Sequence, residues 1–324
     1  MGTPMASGAD KHRNRTSVTR LAKVAGLAVL VVLAASGCST EEVLRFGWPE
    51  GVTPQAHRMR DFWTWSVIAS LAIGVLTWAL MLWPVIAHRK RGDKLPRQFQ
   101  YNHVLEIIYT AIPVVIVVVL FYFTATTQNY VQAETDKPDV TVDVVAFQWN
   151  WEFDHKSFIN SKGALDVPAA PGDTTVRTVG SSTEIPLLVL PINKKIHYNL
   201  RATDVIHSFF IPEFLFKRDV FPHPDKNNQD PTFQNEIDRT GSFVGRCAEL
   251  CGTYHSAMNF EVRAVTPELF EQYMALRTKV NPKTGKGYTT AEALAQMNCG
   301  ELCTPHAVTT TPFNTDRTAR KASG

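Results

Sequence analysis

Two uninterrupted apolar runs limit this chain more than any other feature. Phe62 to Ala87 holds 26 residues without a charge, and Val104 to Thr126 holds 23 with only Glu106 among them. Each exceeds the ~20 residues a helix needs to cross a bilayer, with some tilt. Trp63, Trp65, Trp78 and Trp83 lie toward the ends of the first run, where interfacial aromatics belong. Pro84 is placed to kink or end it. Between the runs, His88 to Arg97 carries five basic residues against one acidic, a net charge of +4. That excess puts the loop 88–101 in the cytoplasm, so the arm 38–61 and everything after residue 127 face the outside. Residues 62–127 therefore read as a transmembrane helical hairpin.

A third apolar stretch, Val24 to Ala35, is too short to span. It follows Lys11, Arg13, Arg15, Arg20 and Lys23 and ends in Ala35-Ser36-Gly37-Cys38. The segment 1–37 resembles a bacterial lipoprotein signal, which implies that Cys38 is lipidated and begins the mature protein. That pattern usually has Leu three places before the cysteine, where this chain has Ala35. The plainer reading is an uncleaved anchor. Over the whole chain 33 basic residues face 30 acidic ones, which gives no sign of a nucleic-acid partner.

Residues 128–266 read as strand-rich. Asp139 to Val144 alternates with period two and runs into Phe147-Gln148-Trp149-Asn150-Trp151-Glu152-Phe153. Further strands are expected over Pro186 to Val189, Lys195 to Arg201, Ser242 to Arg246 and Asn259 to Ala264. Many short strands separated by Pro and Gly suggest an antiparallel sandwich or barrel. Gly163 to Thr183 and Asp225 to Asp238 read as surface loops from their composition.

The chemistry concentrates in Cys247-Ala248-Glu249-Leu250-Cys251-Gly252-Thr253-Tyr254-His255-Ser256-Ala257-Met258. Two thiolates, an imidazole and a thioether suit copper better than magnesium or calcium, which prefer oxygen. A mononuclear blue-copper site needs one Cys, so two cysteines point to two copper ions bridged by both sulfurs. Each copper then needs one His and one weak ligand. His255 and Met258 are local, the Glu249 carbonyl can be the second weak ligand, and His207 is the best candidate for the second imidazole. A structural zinc site would leave Met258 without a purpose.

C-x-E-x-C-G-x-x-H-x-x-M with an upstream D-V-x-H-S resembles subunit II of haem-copper (aa3-type) cytochrome c oxidases. The resemblance implies a cupredoxin-like Greek-key barrel. It also implies an electron-accepting role: from cytochrome c to haem in a catalytic subunit I, where oxygen reduction is coupled to proton pumping. Other oxidase subunits and membrane lipid are the remaining partners. The resemblance makes Trp149, in Q-W-x-W, the point of electron entry. It makes Glu106, in E-x-x-x-T-x-x-P, a proton-path residue at the mouth of a channel of the catalytic subunit. It gives the Glu249 carboxylate a share in a Mg2+ held with that subunit. Asp154, Glu152 and Asp204 are candidates for a negative patch that steers a basic donor. The alternatives are a membrane-anchored copper-delivery protein, and a nitrogen-oxide reductase subunit with the same copper domain. The hairpin, Glu249 and Met258 favour the oxidase over the first, and the hairpin with Glu106 disfavours the second.

The tail, 267–324, carries two helix starts, at Thr266-Pro267-Glu268 and at Thr289 to Glu292. Cys299-Gly300-Glu301-Leu302-Cys303 is not a haem-attachment motif, and two cysteines this close on the oxidising side are expected to pair.

Overall fold

The computed structural model describes residues 39–90 and 98–312, together with 23, 26, 27 and 92. Cys38 and residues 91 and 93–97 of the basic loop lie outside the described residues. The short helix α1 (Thr40–Leu44) belongs to a separate amino-terminal unit, residues 1–48. It starts with a capping box, in which Ser39 Oγ accepts from the Glu42 amide at 3.2 Å and Glu42 returns the bond at 2.8 Å.

Two long helices, α2 (Pro54–Ala87) and α3 (His103–Val131), contain the apolar runs. α2 begins eight residues before its run because Thr53-Pro54 supplies a start signal: Thr53 Oγ1 accepts from the Ala56 amide at 3.0 Å. It ends at Ala87, within one turn of Pro84, where the His88 amide bonds the Pro84 carbonyl. Asn102 caps α3, accepting from the Leu105 amide at 3.1 Å.

After α3 come two packed sheets. The first contains β1 (Val140–Phe147), β2 (Asn150–Ile159), β3 (Leu165–Asp166), β4 (Val176–Val179), β6 (Lys195–Ala202) and β9 (Thr232–Glu236), in the order β3-β2-β1-β6-β9 with β4 also on β2. The second contains β5 (Leu187–Pro191), β7 (His207–Ile211), β8 (Phe216–Val220), β10 (Gly241–Cys247) and β11 (Asn259–Val265), in the order β5-β11-β10-β7-β8. Most neighbours are antiparallel; β1 with β6 and β5 with β11 are parallel. Alternation decides what each strand buries: Val140, Val142, Val144 and Ala146 of β1 face inward. Between the sheets sits an aromatic core from both layers: Trp151, Phe153 and Tyr198 from one, Phe209 and Phe260 from the other. Phe209 stacks on Phe260 with ring centroids 4.8 Å apart. Gly245 leaves room for that ring, since a Cβ there would come within 2.1 Å of it. Truncating any of these rings to Ala would cost about 3–5 kcal/mol. The arrangement is the cupredoxin-like one expected.

Three expectations need correction. The segment 163–183 is not all loop, because Val176 and Thr178 turn inward and β4 pairs with β2. Nor is 225–238: β9 buries Gln234 and Asn235, which composition marks as loop residues. Their polar groups are satisfied, Asn235 by the Tyr198 hydroxyl at 3.2 Å and Gln234 by both backbone groups of Thr135 at 2.8 and 2.9 Å. Finally, Phe147 to Phe153 is not one strand; the chain reverses at Gln148-Trp149, with Phe147 opposite Asn150.

The tail forms α4 (Pro267–Arg277) and α5 (Thr290–Gln296), capped by Thr266 and Thr289. Cys299 and Cys303 form a disulfide with Cα atoms 5.3 Å apart. Both faces of β11 are covered, the outer one by this tail. There Arg263 and Glu261, both fully buried, form an ion pair at 2.5 Å. Arg263 also donates to the carbonyls of Glu301, Leu302, Thr304 and His306, while Glu261 accepts from the amides of Val308 and Thr309. Every charge is thus matched, as burial demands.

Candidate metal centre

The site is held at one end of the three central strands of the second sheet. β7 supplies His207, β10 ends in Cys247, and the loop from Cys251 to Met258 returns the chain into β11. The Cys247 amide bonds the Met258 carbonyl at 3.1 Å, closing the loop at its base. Gly252 has φ +122°, and a Cβ there would press to 3.2 Å on Gln148 and Trp149. Only glycine meets both conditions.

The candidate donor atoms converge. Cys247 Sγ and Cys251 Sγ are 3.8 Å apart. His207 Nδ1 stands 3.8 Å from Cys247 Sγ, and His255 Nδ1 stands 3.6 Å from Cys251 Sγ. The Met258 Sδ is 3.9 Å from Cys251 Sγ, and the Glu249 carbonyl oxygen is 3.3 Å from Cys247 Sγ. Each sulfur therefore has its own imidazole and its own weak donor. His207, Cys247, Cys251 and Met258 are all buried, so the donors are shielded from water.

Electrostatics favours a cation at the centre. Burial pushes both thiols up. At Cys247, hydrogen bonding to His207 and to the Glu249 backbone reverses this and brings the thiol to about 7. Cys251 goes up to about 12, first by burial and then by the charge on Cys247. Two sulfurs this close cannot both ionise unless a cation lies between them. His207 Nε2 donates to Asp204 Oδ1 at 2.8 Å, which turns the lone pair of Nδ1 toward the sulfurs. Burial opposes charge on His207, but its bonds to Cys247 and Asp204 hold its pKa above the ordinary value. Burial likewise raises Asp204, yet His207 and the amides of Gln148 and Val205 hold it below the usual range. The donor set, four soft or imidazole side chains plus Met258 and a carbonyl, fits copper.

Other expected residues fall around this centre. Trp149 is half-buried over the loop, its Nε1 3.2 Å from the Cys251 carbonyl and its ring edge-on to Tyr254 at 5.0 Å. Trp151 is fully buried beneath it. The Glu249 carboxylate points away and lies 4.0 Å from Lys217 Nζ. Glu106 lies far along the chain in the first turn of α3, accepting from the Asn102 amide at 3.0 Å. The negative patch shrinks: Asp154 is 5 % exposed and bound by Arg177 at 3.0 Å. Glu152 shares that guanidinium at 3.5 Å, which leaves Asp204 as the exposed carboxylate of the three. The hydrogen bonds from Gln148, Trp149 and Trp151 to the loop were not expected; the Q-W-x-W spacing was their only trace.

The chain matches two family models. One, described as the periplasmic domain of cytochrome c oxidase subunit II, covers residues 140–265, and the other, its transmembrane domain, covers 42–125. A probable cytochrome c oxidase subunit 2 from Nocardia farcinica is 49 % identical over 98 % of this chain and 94 % of its own length. The cytochrome c oxidase subunit 2 of Mycobacterium bovis is 44 % identical over 92 % of this chain and 90 % of its own. The periplasmic domain of subunit II from Bradyrhizobium japonicum, a crystal structure, is 25 % identical over 44 % of this chain and 95 % of its own, with TM-score 0.31.

Proposed function

The chain belongs to the cytochrome c oxidase subunit II family, and from that premise we propose that it accepts electrons from cytochrome c through two copper ions. The protein is a membrane subunit of a haem-copper oxidase, with its copper domain outside the cytoplasm. The observation that carries the binuclear reading is the pair of sulfurs 3.8 Å apart, each facing its own imidazole. His207, Cys247, Cys251, His255, Met258 and the Glu249 carbonyl would hold the metal. Bound there, a copper pair supplies a one-electron couple spread over two centres.

The chain's own residues supply the rest. The rigid sheets keep the donors fixed, so little rearrangement accompanies a change of charge. Asp204 orients His207, and the buried surroundings exclude water. Trp149, at the rim, is the electron entry point. The Glu249 carboxylate helps hold a Mg2+ shared with catalytic subunit I, and Glu106 serves the proton path into that subunit. Glu106→Gln should slow proton uptake without changing copper content; unchanged uptake in reconstituted vesicles would remove the role. Cys38 carries the lipid, and mass spectrometry of the mature amino-terminal peptide tests it; an intact Gly37-Cys38 bond would exclude it.

Metal analysis of the purified full chain is the deciding experiment. Two coppers with a delocalised mixed-valence spectrum are expected. One copper, or zinc, would overturn the reading and favour a copper carrier.

A further inference from the structure

The β1–β2 hairpin grips the metal loop at two points. At one end Gln148 Nε2 and Trp149 Nε1 both donate to the Cys251 carbonyl, at 2.7 and 3.2 Å. At the other, Trp151 Nε1 donates to the Met258 carbonyl at 3.2 Å. Trp151 is fully buried, and its ring lies 5.2 Å from Phe260, 5.8 Å from Phe209 and 6.3 Å from His207. Packing alone would be served by another aromatic ring. What an indole adds is a single N–H, and here it is spent on the backbone of a ligand.

The choice of ligand matters. A thioether binds copper weakly, so the protein and not the bond sets where it stands. Met258 sits at φ −80° and ψ 71°, outside any repeating structure, between the short turn 255–257 and β11. Its carbonyl is held from two sides, by the Cys247 amide at 3.1 Å and by Trp151. Its Sδ lies 3.9 Å from Cys251 Sγ. The geometry points to Trp151 as a positioning residue for Met258: its indole N–H fixes the thioether's approach and thereby the reduction potential of the copper pair. This rests on the copper reading of the site. The lever is physical, because a weak thioether donor would tune the potential of a bound copper through its distance.

Removing the N–H is a clean change. The Met258 carbonyl keeps the Cys247 amide, so no buried acceptor is orphaned. Two full-length variants in detergent test the idea: Trp151→Phe, and Trp151 replaced by its benzothiophene analogue, which keeps the ring shape and loses only the donor. Both should retain two coppers, with a displaced reduction potential and displaced visible bands. In metal-free protein, amide exchange over 254–259 should quicken about tenfold, the scale of one hydrogen bond. Unchanged potential and bands in a two-copper benzothiophene variant would overturn the proposal, whatever Trp151→Phe does to folding. Should the unsubstituted protein fail to bind two coppers, the metal reading falls on its own. Exchange in metal-free protein then decides the brace: a change confined to 254–259 upholds it, and none refutes it.

Discussion

Asp204 Oδ1 accepts the Nε2–H of His207 at 2.8 Å, and the same carboxylate accepts the amides of Gln148 and Val205 at 2.7 Å each. One side chain therefore fixes the tautomer of a proposed ligand and ties the β1–β2 turn to β7. Asp204→Asn keeps the shape but can present an NH2 group to His207. Copper affinity should fall about 10–100-fold, the usual result of losing an outer carboxylate. Equilibrium titration of copper against a chelator checks this. Affinity equal to that of the unsubstituted protein would show that the carboxylate has no hold on His207.

The tail clasp should depend on its charges more than on its disulfide. Arg263→Met leaves Glu261 buried and uncompensated, a change that costs about 3–5 kcal/mol. Opening a five-residue disulfide loop, by contrast, costs about 2 kcal/mol in the chain-entropy account. Thermal unfolding should therefore rank Arg263→Met below Cys299→Ser/Cys303→Ser, and only the first should expose residues 300–312 to protease. The reverse order would make the disulfide the principal fastening.

The proposed metal loop stood out in sequence because its candidate donors lie within a dozen residues at spacings that few other chemistries need. The helices were legible from apolar length and from Thr266 and Thr289 at their starts. What sequence did not disclose is what covers each face. Period two in Asn259–Val265 tells that Glu261 and Arg263 share a side, but not that a segment forty residues later will bury both. β9 escaped for a related reason: Gln234 and Asn235 look like loop residues until their distant partners, Thr135 and Tyr198, are in place. The two hairpin tryptophans differ by position alone, and only the turn at Gln148-Trp149 separates the buried one from the rim.

Acid should weaken the domain through His155. It is fully buried, and burial, ahead of the nearby Arg277 charge, lowers its pKa from 6.5 to about 4, while Nε2 donates to the Val189 carbonyl at 2.9 Å. Between those values the unfolded chain takes up the proton and the folded one does not. Stability is therefore complete above pH 6.5 and is lost as the pH falls toward 4, by about 3 kcal/mol in all. His155→Phe should flatten that part of the profile. An equally steep loss in the variant, followed by thermal unfolding from pH 7 to 4.5, would assign the acid sensitivity elsewhere.

Glu249 should divide into two roles. Its carbonyl faces Cys247 while its carboxylate lies beside Lys217, so Glu249→Gln changes only the second. The variant should keep both coppers and lose divalent-metal binding at the contact with the catalytic subunit, which manganese in place of magnesium would report by its paramagnetic signal. Loss of copper in Glu249→Gln would contradict the division.

Electron entry should fail without Trp149. Trp151 is sealed beneath the sheet and cannot touch a donor, whereas Trp149 is half-buried at the rim, above the Cys251 carbonyl. Its indole thus offers a short through-bond route from the surface to the backbone of a proposed ligand. Gln148 holds the same carbonyl at 2.7 Å, so the loop keeps a brace when the indole is removed. Trp149→Ala should leave copper content and donor binding in place. It should slow electron transfer from cytochrome c by more than about tenfold, the equivalent of about 1.4 kcal/mol of barrier. With Asp204 the exposed carboxylate of the three near the rim, the salt dependence of donor binding should drop in Asp204→Asn and stay unchanged in Trp149→Ala. Stopped-flow reduction of the copper centre reads both effects. Full-speed transfer in Trp149→Ala, with the centre intact, would move the entry point to another part of the rim.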